Sequence, residues 1–244
     1  MRTICFDFGN SRLKAAIFED HKMIEECIVD NDENSTFEAL VKKYNPHKSI
    51  LSSVIHHNEE IETILSKNAR FHKLGKDSKL NFTISVSKPE TIGPDRISLI
   101  AAAVDQFPEF NTLVIGMGTC ITYNFVNQYG QFLGGAISPG MDMRFKSMHE
   151  YTAKLPLVKP THHFPLIGYD TKTNLQSGVI VGMKGEIAGF IEEYQNKYNR
   201  FNVVLTGGDS SYFASQIKKN TFADSNFLFK GLYVLSELNN QTIE

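Results

Sequence analysis

A carboxylate and a glycine turn stand together near the start of the chain, in the segment DFGNSRLK that runs from Asp7 to Lys14. Gly9 allows backbone conformations that other residues avoid, so neighbouring N–H groups can point at an anion, and Asn10 and Ser11 add side-chain donors. Asp7 cannot bind phosphate directly, but it can hold Mg²⁺, which in turn binds phosphate oxygens. The segment therefore predicts a site for a magnesium-bound phosphate, although an ordinary hairpin turn contains the same residue types.

Two further glycine turns, in the segments GMGTCIT and TGGDS, also follow predicted strands. The first has Gly118 and Thr119 in its turn and no carboxylate beside it. In the second, Gly207 and Gly208 permit the close approach of a flat ring or a phosphate. Either turn alone is also what a common loop contains. Three such turns at matching ends of three strands are hard to attribute to loop chemistry alone and favour phosphate sites.

The segment GPDR, Gly93–Arg96, opens a predicted helix. Pro94 suits the first helical turn, and the carboxylate of Asp95 is favoured at the positive end of the helix dipole. Asp95 would therefore stabilise the helix even without a catalytic role. With the three glycine turns present, we favour a catalytic role for Asp95, and we prefer it to Asp7 as a proton acceptor because a metal-bound carboxylate is a poor one.

The adjacent histidines His56–His57 and His162–His163 do not have the i, i+4 spacing that brings two imidazoles to one metal ion on a helix. We expect both pairs to be solvated loop residues.

The 244 residues, 41% of them hydrophobic and 21% charged, are typical of a folded protein with a sizeable core. A net charge of −2 gives no electrostatic basis for binding nucleic acid or a membrane, so we expect small-molecule partners.

We find no signal-peptide pattern and no apolar run near the ~20 residues of a membrane span. The isolated Cys5, Cys27 and Cys120 predict a reducing compartment without disulfides, and hence a cytoplasmic protein.

The predicted elements follow the same order twice: strand, glycine turn, strand, strand, helix. The predicted strands are residues 3–8, 13–18, 22–29, 48–55, 111–117, 120–126, 130–140 and 201–206. The predicted helices are residues 35–44, capped by Ser35 or Thr36, 58–68, opened by Asn58, 93–107, a helix near Met141, and a long helix with an apolar stripe from Leu175 to Tyr194. We expect an α/β protein with two similar lobes, residues 1–112 and 113–244, in which mixed β-sheets are flanked by helices and a ligand cleft lies between the lobes.

Taken in order, DFGNS, GMGT and LTGG resemble the phosphate-one, phosphate-two and adenosine motifs of the superfamily of acetate and sugar kinases, Hsc70 and actin. GPDR, GGAISPGM and TNLQSG narrow the resemblance to the type III pantothenate kinase family, over essentially the whole chain. The resemblance implies two ribonuclease H-like lobes of the actin-like ATPase type. It also implies ATP- and Mg²⁺-dependent phosphorylation of pantothenate at the start of coenzyme A synthesis, in a homodimer whose acceptor site is completed near the dimer interface.

The same resemblance assigns roles to individual residues. The ATP-binding residues would be Asp7, Phe8, Gly9, Asn10, Ser11, Arg12, Leu13, Lys14, Thr119, Gly207 and Gly208, with Asp7 holding the metal. The pantothenate-binding residues would be Val86, Gly93, Pro94, Asp95, Arg96 and Thr171, with Asp95 as general base.

The chain departs from the family pattern at two positions. Gly116 replaces an aspartate that binds a monovalent cation such as K⁺ or NH₄⁺ in most relatives, and Val86 replaces an aromatic acceptor contact. The first change puts potassium activation in doubt. Two other functions are compatible with the sequence: a kinase of the same superfamily with another small acceptor, and a nucleotide-binding accessory protein of transcription without kinase activity.

Overall fold

The computed structural model describes residues 1–214, 217 and 221–240, which form two compact units. The first unit comprises Met1–Pro108, Gly130–Phe132 and the C-terminal segment from Phe227. The second comprises Glu109–Tyr129 and Leu133–Asn226.

The strands are β1 (Arg2–Phe8), β2 (Leu13–Glu19), β3 (Lys22–Val29), β4 (Lys48–Ser53), β5 (Arg70–Lys73), β6 (Thr83–Ile84), β7 (Asn111–Met117), β8 (Cys120–Val126), β9 (Gln131–Pro139), β10 (Phe201–Thr206) and β11 (Thr221–Ala223). The α-helices are α1 (Asn34–Tyr44), α2 (Glu60–Asn68), α3 (Pro94–Gln106), α4 (Met141–Glu150), α5 (Thr171–Lys197), α6 (Ser210–Ala214) and α7 (Phe227–Asn239). A short 3-10 helix, Pro89–Thr91, precedes α3.

A five-stranded sheet in the order β3-β2-β1-β4-β5 forms the centre of the first unit. The first three strands pair antiparallel as the predicted meander, and β4 and β5 continue the sheet in parallel. Alternate residues of β1 and β2 fill a core that also contains Phe37 of α1 and Ile61 and Leu65 of α2. This pairing brings the ends of β1 and β4 side by side.

The expected cap of the first helix is wrong. Helix α1 begins at Asn34 with Glu33 as its N-cap, so Ser35 and Thr36 lie inside the helix. The reason is that Asn31 orders the preceding loop: its Oδ1 accepts hydrogen bonds from the Glu33 N–H at 3.1 Å and from the Thr36 hydroxyl at 2.7 Å. Helix α2 begins at Glu60, and the Glu60 N–H donates to Oδ1 of Asn58 at 3.0 Å, so Asn58 opens this helix as expected.

In the second unit, β11, β10, β7, β8 and β9 are neighbours in that order. Strands β7 and β8 form the predicted antiparallel hairpin, while β10 pairs in parallel with β7. The long helix α5 covers this sheet with the predicted apolar stripe, of which Leu175, Val179, Met183, Ile187 and Ile191 are buried. The order of elements therefore repeats in both units, as the sequence predicted.

Helix α7 packs closely against α3 within the first unit. A side chain at Gly231 would lie 1.7 Å from the backbone oxygen of Ser98, so only glycine allows the two helices to approach this far. The Lys48 ammonium on β4 forms an ion pair with Glu237 of α7 at 2.8 Å. Together these contacts fix the start of α3 relative to β4. None of the helices described is long and apolar enough to cross a membrane.

Candidate active site

The turn after β1 places Asp7 between two neighbouring strands. Asp7 lies opposite Lys14 in the antiparallel ladder with β2 and opposite Ser52 in the parallel ladder with β4. The turn itself closes when the Gly9 N–H donates to the Arg12 backbone oxygen at 3.1 Å. The residues of this turn that the sequence predicts to bind ATP differ in exposure. Asn10, Ser11 and Arg12 are exposed, whereas Gly9, Leu13 and Lys14 are half-buried. Phe8 is buried.

Lys14 is not a free cation. Its ammonium forms an ion pair with Glu26 of β3 at 2.7 Å, and both side chains are about one-third exposed, at 33% and 31%. Because Glu26 already neutralises much of its charge, Lys14 offers a phosphate less attraction than the sequence suggested.

The electrostatic environment of Asp7 is unusual for an aspartate. Burial, together with the negative charge of Asp95, raises its pKa from 3.8 to about 7, while Lys14 and the Ser52 hydroxyl partly offset the increase. A carboxylate held in this way gains from any cation that reaches it, because the cation relieves both the desolvation and the repulsion.

Asp95 lies in the first turn of α3, directly after Pro94. Burial raises its pKa, and a backbone hydrogen bond from Arg96 and the positive charge of that residue partly offset the rise. Gly93 leaves room for this carboxylate, since a methyl group there would lie 2.4 Å from Oδ1 of Asp95 and 4.0 Å from Cγ1 of Val54. The Gly93 backbone is otherwise ordinary, with φ −60° and ψ 143°.

The other residues predicted to bind pantothenate, among them Arg96, Val86 and Thr171, lie in different surroundings. The Arg96 guanidinium lies 5.6 Å from the ring centre of Phe132, within the range of a cation–π contact. Val86 is half-buried in the loop before the 3-10 helix. Thr171 is exposed as the first residue of α5, after the N-cap Asp170. The structure thus brings Gly93, Asp95 and Arg96 together at one helix start.

In the second unit, three turns meet at the β7–β8 hairpin. The hairpin turn closes when the Gly118 N–H donates to the Cys120 oxygen at 3.1 Å. From the neighbouring turns, the Asp209 N–H donates to the Met117 oxygen at 3.2 Å and the Gly140 N–H donates to the Thr119 oxygen at 3.1 Å. The glycine turns that the sequence suggested, around Gly118 and Gly207, are therefore adjacent.

Two glycines make this packing possible. Gly207 has φ +93°, and a side chain there would lie 2.4 Å from the Met117 backbone oxygen. A side chain at Gly140 would lie 2.2 Å from the backbone oxygen of Gly118. Gly208, by contrast, is exposed with open space beside it. Sequence reasoning did not single out Gly140, although the motif SPG that contains it was the available signal.

Sequence reasoning also missed a polar network that fixes α4 to the rest of this unit. The Glu186 carboxylate on α5 accepts hydrogen bonds from the hydroxyls of Tyr123 and Ser138 and pairs with the Arg144 guanidinium. Arg144 Nε also donates to the Pro139 oxygen at 2.8 Å. These bonds hold the pKa of Glu186 below its usual value in spite of its burial. The network holds the first turns of α4 beside Gly140.

The expectation that both histidine pairs are solvated is wrong for His57. Its side chain is only 6% exposed, with one ring nitrogen bonded to Ser53 and the other to Glu62. The residues directly before His57 did not indicate this burial, because the groups that bond to its ring lie on β4 and α2. His56, His162 and His163 are exposed as expected.

Comparison with known proteins identifies the family. The family model of type III pantothenate kinase matches residues 3–193. The type III pantothenate kinase of Christiangramia forsetii is 41% identical over 238 residues, which cover 97% of this chain and 98% of the relative. That of Bacteroides fragilis strain YCH46 is 39% identical over 242 residues, covering 98% and 99%. The chain belongs to the type III pantothenate kinase family.

Solved structures confirm the fold class of this family member. A Campylobacter jejuni protein assigned to the Baf family of transcriptional activators has a TM-score of 0.59 at 20% identity, over 96% of this chain and 97% of its own. A glucokinase from an Antarctic psychrotroph has a TM-score of 0.52 at 11% identity, over 97% and 98%. At these identities the likeness concerns the fold alone, and it confirms an α/β protein with mixed sheets flanked by helices.

Proposed function

We propose that Asp95 and Asp7 have separate roles in a pantothenate kinase. As a member of the type III pantothenate kinase family, the chain is a kinase that uses ATP to phosphorylate pantothenate, the first step of coenzyme A synthesis. Phosphoryl transfer needs mainly positioning and charge neutralisation. The observation that supports the assignment is the electrostatic influence of Asp95 on Asp7: these two half-buried carboxylates lie close enough for the charge of one to raise the pKa of the other.

Asp95 would act as the general base. The primary hydroxyl oxygen of pantothenate forms a bond with the γ-phosphorus, the bond between that phosphorus and the leaving ADP oxygen breaks, and the hydroxyl proton passes to the Asp95 carboxylate. Burial makes this carboxylate a better proton acceptor because it raises the pKa. The open space at Gly93 lets the carboxylate lie over the start of α3.

Asp7 would hold the magnesium ion. Within the described part of the chain, no group of three or more His, Cys, Asp or Glu side chains could form a closed metal site. Mg²⁺ does not require one, because it commonly takes one or two carboxylates and completes its shell with water and substrate phosphates. A single half-buried carboxylate whose pKa is raised to about 7 fits that mode of binding. When bound, the ion neutralises charge on the phosphates.

The remaining residues would bind the substrates. The turn from Phe8 to Lys14 would donate to ATP phosphates, with its exposed part, residues 10–12, closest to solvent. In the second unit, Thr119 and the glycines 207 and 208 would contact the nucleotide. Arg96, which has a guanidinium suited to a bidentate pair, would bind the pantothenate carboxylate, with Val86, Gly93, Pro94 and Thr171 as further acceptor contacts.

The protein would act as a homodimer through the outer side of α5. Four glycines, Gly178, Gly182, Gly185 and Gly189, recur at spacings of four, three and four residues along this helix. A side chain at any of them would meet nothing within 4 Å. Each glycine costs a helix roughly 1 kcal/mol relative to alanine, so four on one side need a compensating contact.

An exposed apolar residue supports the same interface. Val181, which lies among the glycines of α5, is 38% exposed. A second copy of α5 packed against the glycines would cover Val181, and the absence of side chains would allow the two helices to approach closely.

An ADP-release assay with MgATP and pantothenate tests the assignment of roles. We expect Asp95→Asn to lower kcat by ~10²–10⁴-fold while the KM for ATP changes little, because only the proton acceptor is lost. Asp105→Asn is the matched control, since Asp105 is exposed at the other end of the same helix. Full turnover by the Asp95 variant would refute its role as base.

A further inference from the structure

His57 joins three elements of the first unit. Its Nδ1 lies 3.0 Å from Oγ of Ser53 at the end of β4, and its Nε2 lies 3.0 Å from Oε1 of Glu62 on α2. Glu62 also accepts a hydrogen bond from the Lys73 ammonium on β5 at 2.7 Å. A continuous row of polar contacts therefore runs from β4 through α2 to β5, with a nearly buried imidazole as its centre.

The same imidazole touches the strand that leads into the phosphate turn. Its ring meets the ring of Phe8 edge-on, with the ring centres 5.2 Å apart and an interplanar angle of 83°. Phe8 is opposite Ser53 in the β1–β4 ladder, and the Val54 N–H donates to the Phe8 oxygen at 3.0 Å. Gly9 follows directly. His57 therefore contacts both β1 and β4 at the Phe8–Ser53 pair, which directly follows the Asp7–Ser52 pair in the ladder.

The imidazole of His57 can keep its hydrogen bonds to Ser53 and Glu62 whether the ring is neutral or protonated. When the ring is neutral, Nε2–H donates to the Glu62 carboxylate, and Nδ1 accepts the hydroxyl proton of Ser53. When the ring is protonated, Nδ1–H donates to Ser53 Oγ, and the Ser53 hydroxyl donates instead to the Ile55 oxygen, 2.9 Å away. Both arrangements keep the end of β4 fixed to α2.

We infer that His57 is a positioning residue for ATP binding, acting through Ser53 and Phe8 on the turn that begins at Gly9. The inference rests on the proposed function, in which this turn binds the phosphates of ATP. Without the hydrogen bonds of His57, the Phe8–Ser53 pair at the end of the β1–β4 ladder would no longer be attached to α2. The turn that begins at Gly9 would then not be held in one position. Binding of MgATP would then weaken, whereas binding of pantothenate would change little.

The substitution His57→Phe tests this most directly, because phenylalanine keeps a ring against Phe8 and removes both hydrogen bonds. We expect the dissociation constant of MgATP and the KM for ATP to rise ~10-fold, within the range that a displacement of 1 Å can produce, and the KM for pantothenate to stay within about twofold. His56→Phe is the matched control, since His56 is the exposed neighbour.

Two conservative variants separate positioning from a purely structural role. His57→Asn keeps an amide group near the position of Nδ1, facing Ser53, and should restore most of the ATP affinity. His57→Gln keeps one near Nε2, facing Glu62, and should not. If His57 only stabilised the fold, all three variants would lower Tm and leave the ratio of the two KM values unchanged, and the inference would be overturned.

Isothermal titration with MgATP alone separates this inference from the proposed function. If the wild-type chain binds MgATP but releases no ADP with pantothenate, the proposed function fails, and the variants still test the role of His57. If His57→Phe binds MgATP as tightly as wild type, the inference fails whatever the acceptor. Should that variant not fold, the contrast between the asparagine and glutamine variants gives the answer.

Discussion

The negative charge of Asp95 raises the pKa of Asp7 within the first unit, and only burial raises that pKa more. The two residues are 88 positions apart in the chain. They come together because α3 is held by α7, which also bonds to β4 beside β1. The pairing of these carboxylates is thus a consequence of tertiary packing.

The raised pKa predicts how stability depends on pH. An unfolded aspartate has a pKa of about 3.9, whereas Asp7 in the folded chain has one of about 7. Between these values the folded state binds more protons, so stability falls as the pH rises from about 4 to about 7. We expect Asp7→Asn, which has no proton to lose, to have a higher Tm than wild type at pH 8 and a similar Tm at pH 4.

Thermal unfolding without ATP or metal, measured from pH 4 to pH 8, checks this difference. Asp105→Asn serves as control because Asp105 is exposed. A difference in Tm between Asp7→Asn and wild type that does not change with pH would contradict the raised pKa.

Gly93 gives a test of the position of Asp95 that leaves both carboxylates in place. In Gly93→Ala the new methyl group, built 2.4 Å from Oδ1, would push the Asp95 side chain to another rotamer. The backbone at φ −60° accepts alanine, so we expect a folded protein with kcat lowered by ~10-fold or more. Gly75→Ala is the control, since a side chain there meets nothing within 4 Å. Unchanged kcat in the Gly93 variant would show that the reaction tolerates a displaced Asp95 carboxylate.

Local patterns were enough to predict most of the strands, the hairpin turns and the start of α3. Alternation and glycine placement fix these elements within a few residues of sequence. The strand β5, the helix α7 and the burial of His57 were not predicted, because each depends on partners far away in the chain. The cap of α1 was predicted wrongly for a related reason, since Asn31, which lies outside the helix, orders the preceding loop by accepting hydrogen bonds from the Glu33 N–H and the Thr36 hydroxyl.

The candidate site shows the same division. The glycine turns and GPDR were visible as motifs, whereas the closeness of Gly207 to Met117 could be seen only after β10 paired with β7. The ion pair between Lys14 and Glu26 was also hidden, since it depends on the β2–β3 ladder. The catalytic and binding roles of these residues stay predictions until variants are measured.

The glycines of α5 make the proposed dimer testable. Leucine at Gly182 would improve helix propensity but would prevent a second helix from approaching closely. We therefore expect Gly182→Leu to shift the protein from dimer to monomer in sedimentation at micromolar concentration, while its circular dichroism stays that of wild type. Gln195→Leu, at an exposed position of the same helix, should remain dimeric. A dimer of unchanged stability in the Gly182 variant would place the interface elsewhere.

Gly116 makes the cation requirement an informative measurement. It lies in β7 opposite Thr122 of β8 and Thr206 of β10, and it brings no carboxylate to the place where most relatives are expected to hold a monovalent cation. Without that negative charge, a cation there would have to be bound by neutral oxygens, which attract K⁺ less strongly. We expect turnover with pantothenate and MgATP to change less than about twofold when K⁺ is exchanged for Na⁺ at constant ionic strength. Strong activation by K⁺ would mean that other oxygens of this chain replace the missing carboxylate, and would contradict the expectation drawn from Gly116.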